Sequence, residues 1–105
     1  MADYELTPDA DSDLLKIARY TIKTWGEEQA ELYEGHLRSS FEAIARGKTR
    51  TRALLKSRPD LLVSRCEHHY VFYRLRKGQT LLIIAVLHEN MDLMNHLRER
   101  LNAKP

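Results

Sequence analysis

From residue 10 onward, apolar positions recur at the spacing of a helix: Ala10, Leu14, Ile17, Ala18, Thr21, Ile22 and Trp25 share one face, while Asp11, Asp13, Lys16, Arg19 and Lys23 fall mainly elsewhere. The start of this helix is written in Thr7-Pro8-Asp9. A hydroxyl can accept a bond from an unpaired amide, proline stands where no amide is needed, and an acid faces the positive helix end. Gly26 is the predicted stop. A second helical pattern follows at once, with Ala30, Tyr33, Leu37, Phe41, Ile44 and Ala45 on one face and Gly47 as its stop. So short a connection forces the two helices to lie antiparallel, and their joint apolar surface needs a cover.

The second half of the chain changes character and supplies that cover. Residues 61–66, 69–75 and 81–87 are rich in valine, isoleucine, leucine and aromatics, with a Lys77-Gly78-Gln79 turn before the last segment. They predict an antiparallel meander. Tyr4-Glu5-Leu6 adds a short strand ahead of the first helix, and Met91, Leu93, Met94, Leu97 and Leu101 have the spacing of a short final helix. The expected fold is α+β: an N-terminal helical hairpin packed on a three- to four-stranded antiparallel sheet, with a short C-terminal helix and all helices on one face.

With 105 residues, of which 43% are hydrophobic, the chain fits one domain, residues 1–105, around one core. The 17 basic and 15 acidic residues nearly balance at a net charge of +2, so the total does not point to nucleic acid. A single cysteine, Cys66, excludes an internal disulfide, and the first residues lack the basic and apolar blocks of a secretory signal. The run from 81 to 87 is too short to span a bilayer. A cytoplasmic protein with no membrane segment is expected.

Several strings, in order, resemble the ParE branch of the RelE/ParE toxin–antitoxin superfamily. Leu6-Thr7-Pro8-Asp9-Ala10 with Asp13-Leu14 and Ile17 is similar to the family's opening strand and capped helix, and Trp25-Gly26 to the break of its hairpin. Val71-Phe72-Tyr73-Arg74 resembles the central strand. The most specific string runs from Ile84 through Leu87-His88-Glu89-Asn90-Met91-Asp92 and resembles the end of the last strand. The resemblance implies the toxin component of a type II toxin–antitoxin system. Such a toxin inhibits DNA gyrase by binding, with no catalysis and no cofactor. A ParD-like antitoxin neutralises it, and it meets operator DNA only through that antitoxin. The alternatives are a RelE-like ribosome-dependent mRNA endonuclease and a non-toxic member acting as an antitoxin-binding co-repressor.

An endonuclease needs basic residues on the scissile phosphate and a group that moves protons. Arg46, Lys48, Arg50, Arg52, Lys56 and Arg58 form an acid-free basic tract, but no aromatic is interleaved for base stacking, and a solvated loop face is the expectation. Arg74 matches a family basic position, whereas His69 and Tyr70 stand where an mRNA-cutting relative carries arginine, and His88 reads as a structural or capping residue. His68, His69, His88 and His96 do not have the spacing of a metal site, and Cys66 reads as inert. The resemblance then implies an antitoxin-binding set of Arg19, Lys23, Trp25, Tyr33, Arg38 and Arg74, and a target-binding set of His88, Met91, Arg98 and Arg100.

Overall fold

The computed structural model describes residues 4–48, 52–55, 58–76 and 78–102. Strand β1 (Tyr4–Leu6) leads into helix α1 (Pro8–Trp25) and helix α2 (Glu27–Ala45). Strands β2 (Arg52–Leu55), β3 (Arg58–Cys66), β4 (His69–Arg74) and β5 (Leu81–His88) follow, and helix α3 (Leu93–Asn102) comes last. One sheet holds all five strands in the order β1-β5-β4-β3-β2.

The sequence signals at the helix ends act as expected. Thr7 Oγ1 accepts the Ala10 amide at 3.1 Å, and the Gly26 amide closes α1 on the Ile22 carbonyl at 2.9 Å. Gly26 has φ +96, a value that side-chain-bearing residues rarely adopt, which is why a glycine stands at this corner. The hairpin lies over the sheet with Ala10, Leu14, Leu37, Phe41 and Ile44 packed on Val71, Tyr73, Ile83 and Val86. Phe41 is fully buried and meets the Tyr4 ring edge-on at 5.5 Å between centroids. Burial of a side chain of this size contributes on the order of 2–3 kcal/mol.

Two features of the sheet depart from the expectation. It has five strands instead of three or four, because the basic tract taken as a loop contributes β2, with Arg52 opposite Val63. Arg50 and Lys56 of that tract, and Lys77 of the predicted turn, lie outside the described residues. The sheet is also mixed. β1 runs parallel to β5, with Leu6 opposite Ile83, since α1 carries the chain away before it returns through the meander.

The third departure is the place of α3. Leu97 is buried against Leu61, Phe72, Ile84 and Leu87, on the face opposite the hairpin. Alternation along a strand puts Phe72 on that face and its neighbours Val71 and Tyr73 on the other. A bulge in β5 sharpens the division: Phe72 pairs with Ala85 and Tyr73 with Ile83, so Ile84 is the extra residue. Both faces of β5 are therefore covered, which explains its unbroken apolar run. Among the described residues no helix is long and apolar enough to cross a membrane.

Candidate functional site: a groove between the hairpin and the end of the sheet

β1 is short, and its end decides what surrounds the site. Beyond Leu6 the edge of β5 has no strand neighbour among the described residues, and side chains take over its backbone groups. Asp13 Oδ2 accepts the Val86 amide at 2.9 Å, while Arg100 of α3 reaches round the edge to donate to the Ile84 carbonyl at 3.0 Å. Arg100 also grips Asp13 with both terminal nitrogens, at 2.6 and 3.0 Å. Asp13, predicted on the polar face of α1, is instead 6% exposed. This pair, chiefly its hydrogen bonds, keeps the Arg100 guanidinium above its usual pKa.

From this ion pair an open groove of about 1090 Å³ extends along α1 to the β3–β4 turn and the segment after β5. Its apolar side chains include Ile17, Tyr20, Trp25 and Met91. Tyr20 and Trp25 are 66% and 70% exposed, although helical spacing had placed Trp25 and Ile22 on the buried face. Thr21 is the last buried residue of α1, and residues 22–25, the turn before the corner at Gly26, are all exposed. A cluster of exposed aromatics beside a concave surface is the usual mark of a protein-binding site.

The far end of the groove is built from titratable groups. His69 is buried, with Nδ1 2.6 Å from the Tyr33 hydroxyl, whose oxygen also accepts the His68 amide at 3.3 Å. Burial first, then the neighbouring His88 and His68, push the His69 pKa down to about 4, and burial raises that of Tyr33. Glu89 binds His68 Nδ1 at 3.0 Å and pairs with Arg65, which lies over the Tyr70 ring at 5.4 Å. Those partners, His68 foremost, hold the Glu89 carboxyl below its usual pKa. His88 Nδ1 accepts the Asn90 amide at 3.0 Å, so this histidine caps the turn into α3.

The groove gathers residues from both predicted sets. Trp25 and Tyr33 come from the antitoxin set and His88, Met91 and Arg100 from the target set. The others stand outside it. Arg19, Lys23 and Arg98 are exposed on their helices, and Arg38 pairs with Glu34 one turn away at 3.0 Å. Arg74 donates to Asp60 at 3.3 Å, and Asp60, gripped by the Arg58 fork and by Arg74, has its pKa lowered to about 2. Sequence reasoning missed Asp13, Lys16, Tyr20, His68 and Glu89 as groove residues. With Ile17, the α1 residues among them form a helical stripe at 13, 16, 17 and 20, but its polar members look like ordinary surface until the sheet edge is placed beside them. Cys66 is half-buried, its thiol directed at the His36 carbonyl at 3.7 Å, and burial raises its pKa. A thiol so placed is a poor nucleophile.

Comparison with known proteins agrees with this architecture. Residues 4–93 match the family model described as the ParE toxin of the type II toxin–antitoxin system parDE. The toxin ParE of Escherichia coli is 42% identical over 101 residues, which cover 96% of this chain and 98% of that protein. Toxin ParE1 of Mycobacterium tuberculosis H37Rv is 32% identical over 94 residues, covering 90% and 96%. A solved chain from a chromosomal ParDE toxin–antitoxin system of P. aeruginosa shares the fold, with a TM-score of 0.68 at 16% identity over 84% of this chain and 96% of that one. The chain therefore belongs to the ParE toxin family of type II toxin–antitoxin systems.

Proposed function

We propose that this protein inhibits DNA gyrase by binding to it, and that a ParD-like antitoxin neutralises it by laying an amphipathic segment in the groove beside α1. The observation that carries the antitoxin reading is the groove itself. Exposed Tyr20, Trp25 and Met91 offer apolar contacts, and Lys16, which makes no ion pair among the described residues, offers a cation. The acids along it, Asp13, Glu67 and Glu89, are already paired with Arg100, His36 and with Arg65 and His68. An entering segment thus meets aromatic surface and the cation of Lys16, which suits an acidic amphipathic helix or tail.

A binding mode of action, without catalysis, is favoured by how the groove's proton-carrying side chains are engaged. His88 Nδ1 caps a turn, Glu89 is held by Arg65 and by the His68 ring, and His69 and Tyr33 satisfy one another. Gyrase as the target rests on family membership. The cytoplasm, where gyrase works, is the corresponding location, and operator DNA would be met only through the antitoxin.

The deciding test uses purified protein with gyrase and plasmid DNA, reading supercoiling and accumulation of cleaved DNA. Loss of supercoiling, reversed by the antitoxin, is the expected outcome. Intact gyrase activity together with transcripts cut at the ribosomal A site would replace this reading by an mRNA endonuclease. A protein harmless to cells and inert in both assays would be a co-repressor.

A further inference from the structure

Helix α3 lies on the opposite face of the sheet from the hairpin, yet Arg100 ties it to α1 through Asp13. The tie is well protected: the side chains are 19% and 7% exposed, and Asp13 is itself fixed by the Val86 amide. Arg100 is further held by the Ile84 carbonyl. Beneath the helix, Leu97 is 1% exposed, and Leu93 and Leu101 pack partly buried on the same apolar cluster.

From this arrangement we infer that α3 is a permanent wall of the groove, so that the antitoxin neutralises the toxin by covering α3 where it lies and does not displace it. The inference rests on the proposal that the groove receives an acidic segment. Lifting α3 away would withdraw Arg100 and strand a buried carboxylate at Asp13, and an uncompensated buried charge is strongly disfavoured. Only an incoming cation could replace it. An acidic occupant brings the opposite charge, so the chemistry that suits the groove is the chemistry that keeps α3 docked. Of the five Arg100 donors, three serve Asp13 and the Ile84 carbonyl and Nε faces Asp9 at 3.9 Å, so an incoming carboxylate can add to the one left on the terminal nitrogen without removing the guanidinium from Asp13.

Hydrogen–deuterium exchange, read on the amides of α3 in the free chain and in the complex with its ParD-like antitoxin, tests the inference. Exchange in α3 is expected to stay the same or slow down on binding. An increase of tenfold or more in the complex overturns it. In the free chain, Arg100→Gln is expected to speed exchange in α3 at least tenfold while the amides of α2 hold their rates. The pair Asp13→Asn with Arg100→Gln, which removes the stranded charge, keeps the comparison readable where the single variant does not fold. If neither variant changes exchange in α3, the ion pair does not hold the helix and the inference is wrong. Absence of any complex would instead reject the antitoxin reading, while the free-chain variants would still decide whether α3 is fixed.

Discussion

The hydroxyl of Tyr33 on α2 stands 2.6 Å from Nδ1 of His69 on β4, joining the helical hairpin to the sheet at the far end of the groove. With the ring proton on Nε2, Nδ1 accepts the phenolic proton, while the phenol oxygen accepts the His68 amide. Protonated His69 could not accept that bond, and it would sit buried beside His68 and His88.

This gives a pH dependence with a definite sign. Above about pH 6.5 His69 is neutral in both folded and unfolded chains, and its contribution does not vary. Below that the unfolded chain takes up a proton that the folded one refuses until its own pKa of about 4, so stability falls as pH falls through this window. The loss is of order 2 kcal/mol, since one pKa unit corresponds to about 1.4 kcal/mol and the groove end is partly open to solvent. Urea denaturation between pH 7 and pH 4 measures it. His69→Gln, which retains an acceptor but does not titrate, is expected to flatten the curve in this window; an unchanged slope would mean that another group is responsible.

The Asp13–Arg100 pair predicts an unequal pair of costs. Arg100→Ala leaves the carboxylate of Asp13 buried without its cation and is expected to cost about 3–5 kcal/mol. Asp13→Asn with Arg100→Gln removes both charges and can keep the Val86 amide bonded, so it is expected to cost less than the single change. Equal losses for the two would show that packing of the Arg100 stem, and not charge, holds the helix.

Trp25 separates stability from binding. Its side chain is 70% exposed, so Trp25→Ala is expected to change folding stability by no more than about 0.5 kcal/mol. At the same time it should weaken antitoxin binding by about 2 kcal/mol, near thirtyfold, because exposed tryptophans at grooves are frequent energetic centres of interfaces. Calorimetric titration of both proteins checks this. Undiminished affinity would place the antitoxin elsewhere.

Glu67 predicts a gain. It is the non-glycine residue with positive φ, +53, among the described residues, and it occupies the turn between Cys66 and His69. A left-handed conformation costs an L-residue about 1–2 kcal/mol, which glycine avoids, while the lost pair with half-exposed His36 is worth less. Glu67→Gly is therefore expected to raise stability by up to about 1 kcal/mol, seen as a higher denaturation midpoint with an unchanged slope. A lower midpoint would show that the His36 contact outweighs the strain.

The hairpin, the three long strands and the final helix could be read in the sequence because their signals are local. Thr7 and Gly26 bound α1 through bonds that span one turn, and the β4 and β5 runs are apolar wherever they stand. The family strings were legible for the same reason, since they lie in continuous segments that the family model also matches, over residues 4–93. Three things were settled only when the chain closed on itself. Helical spacing assigns Asp13 to the polar side of α1, but the early end of β1 leaves the Val86 amide open beside it, and Asp13 becomes a buried partner of a residue 87 positions away. The same spacing assigns Trp25 to the core, but nothing in the folded chain covers α1 past Thr21 among the described residues, and Trp25 is left exposed. The face taken by α3 depends on the bulge at Ile84, which turns that residue and Ala85 toward Leu97. Local periodicity fixes which side of an element is apolar. What lies across from that side, and so where a groove opens, depends on contacts between distant parts of the chain.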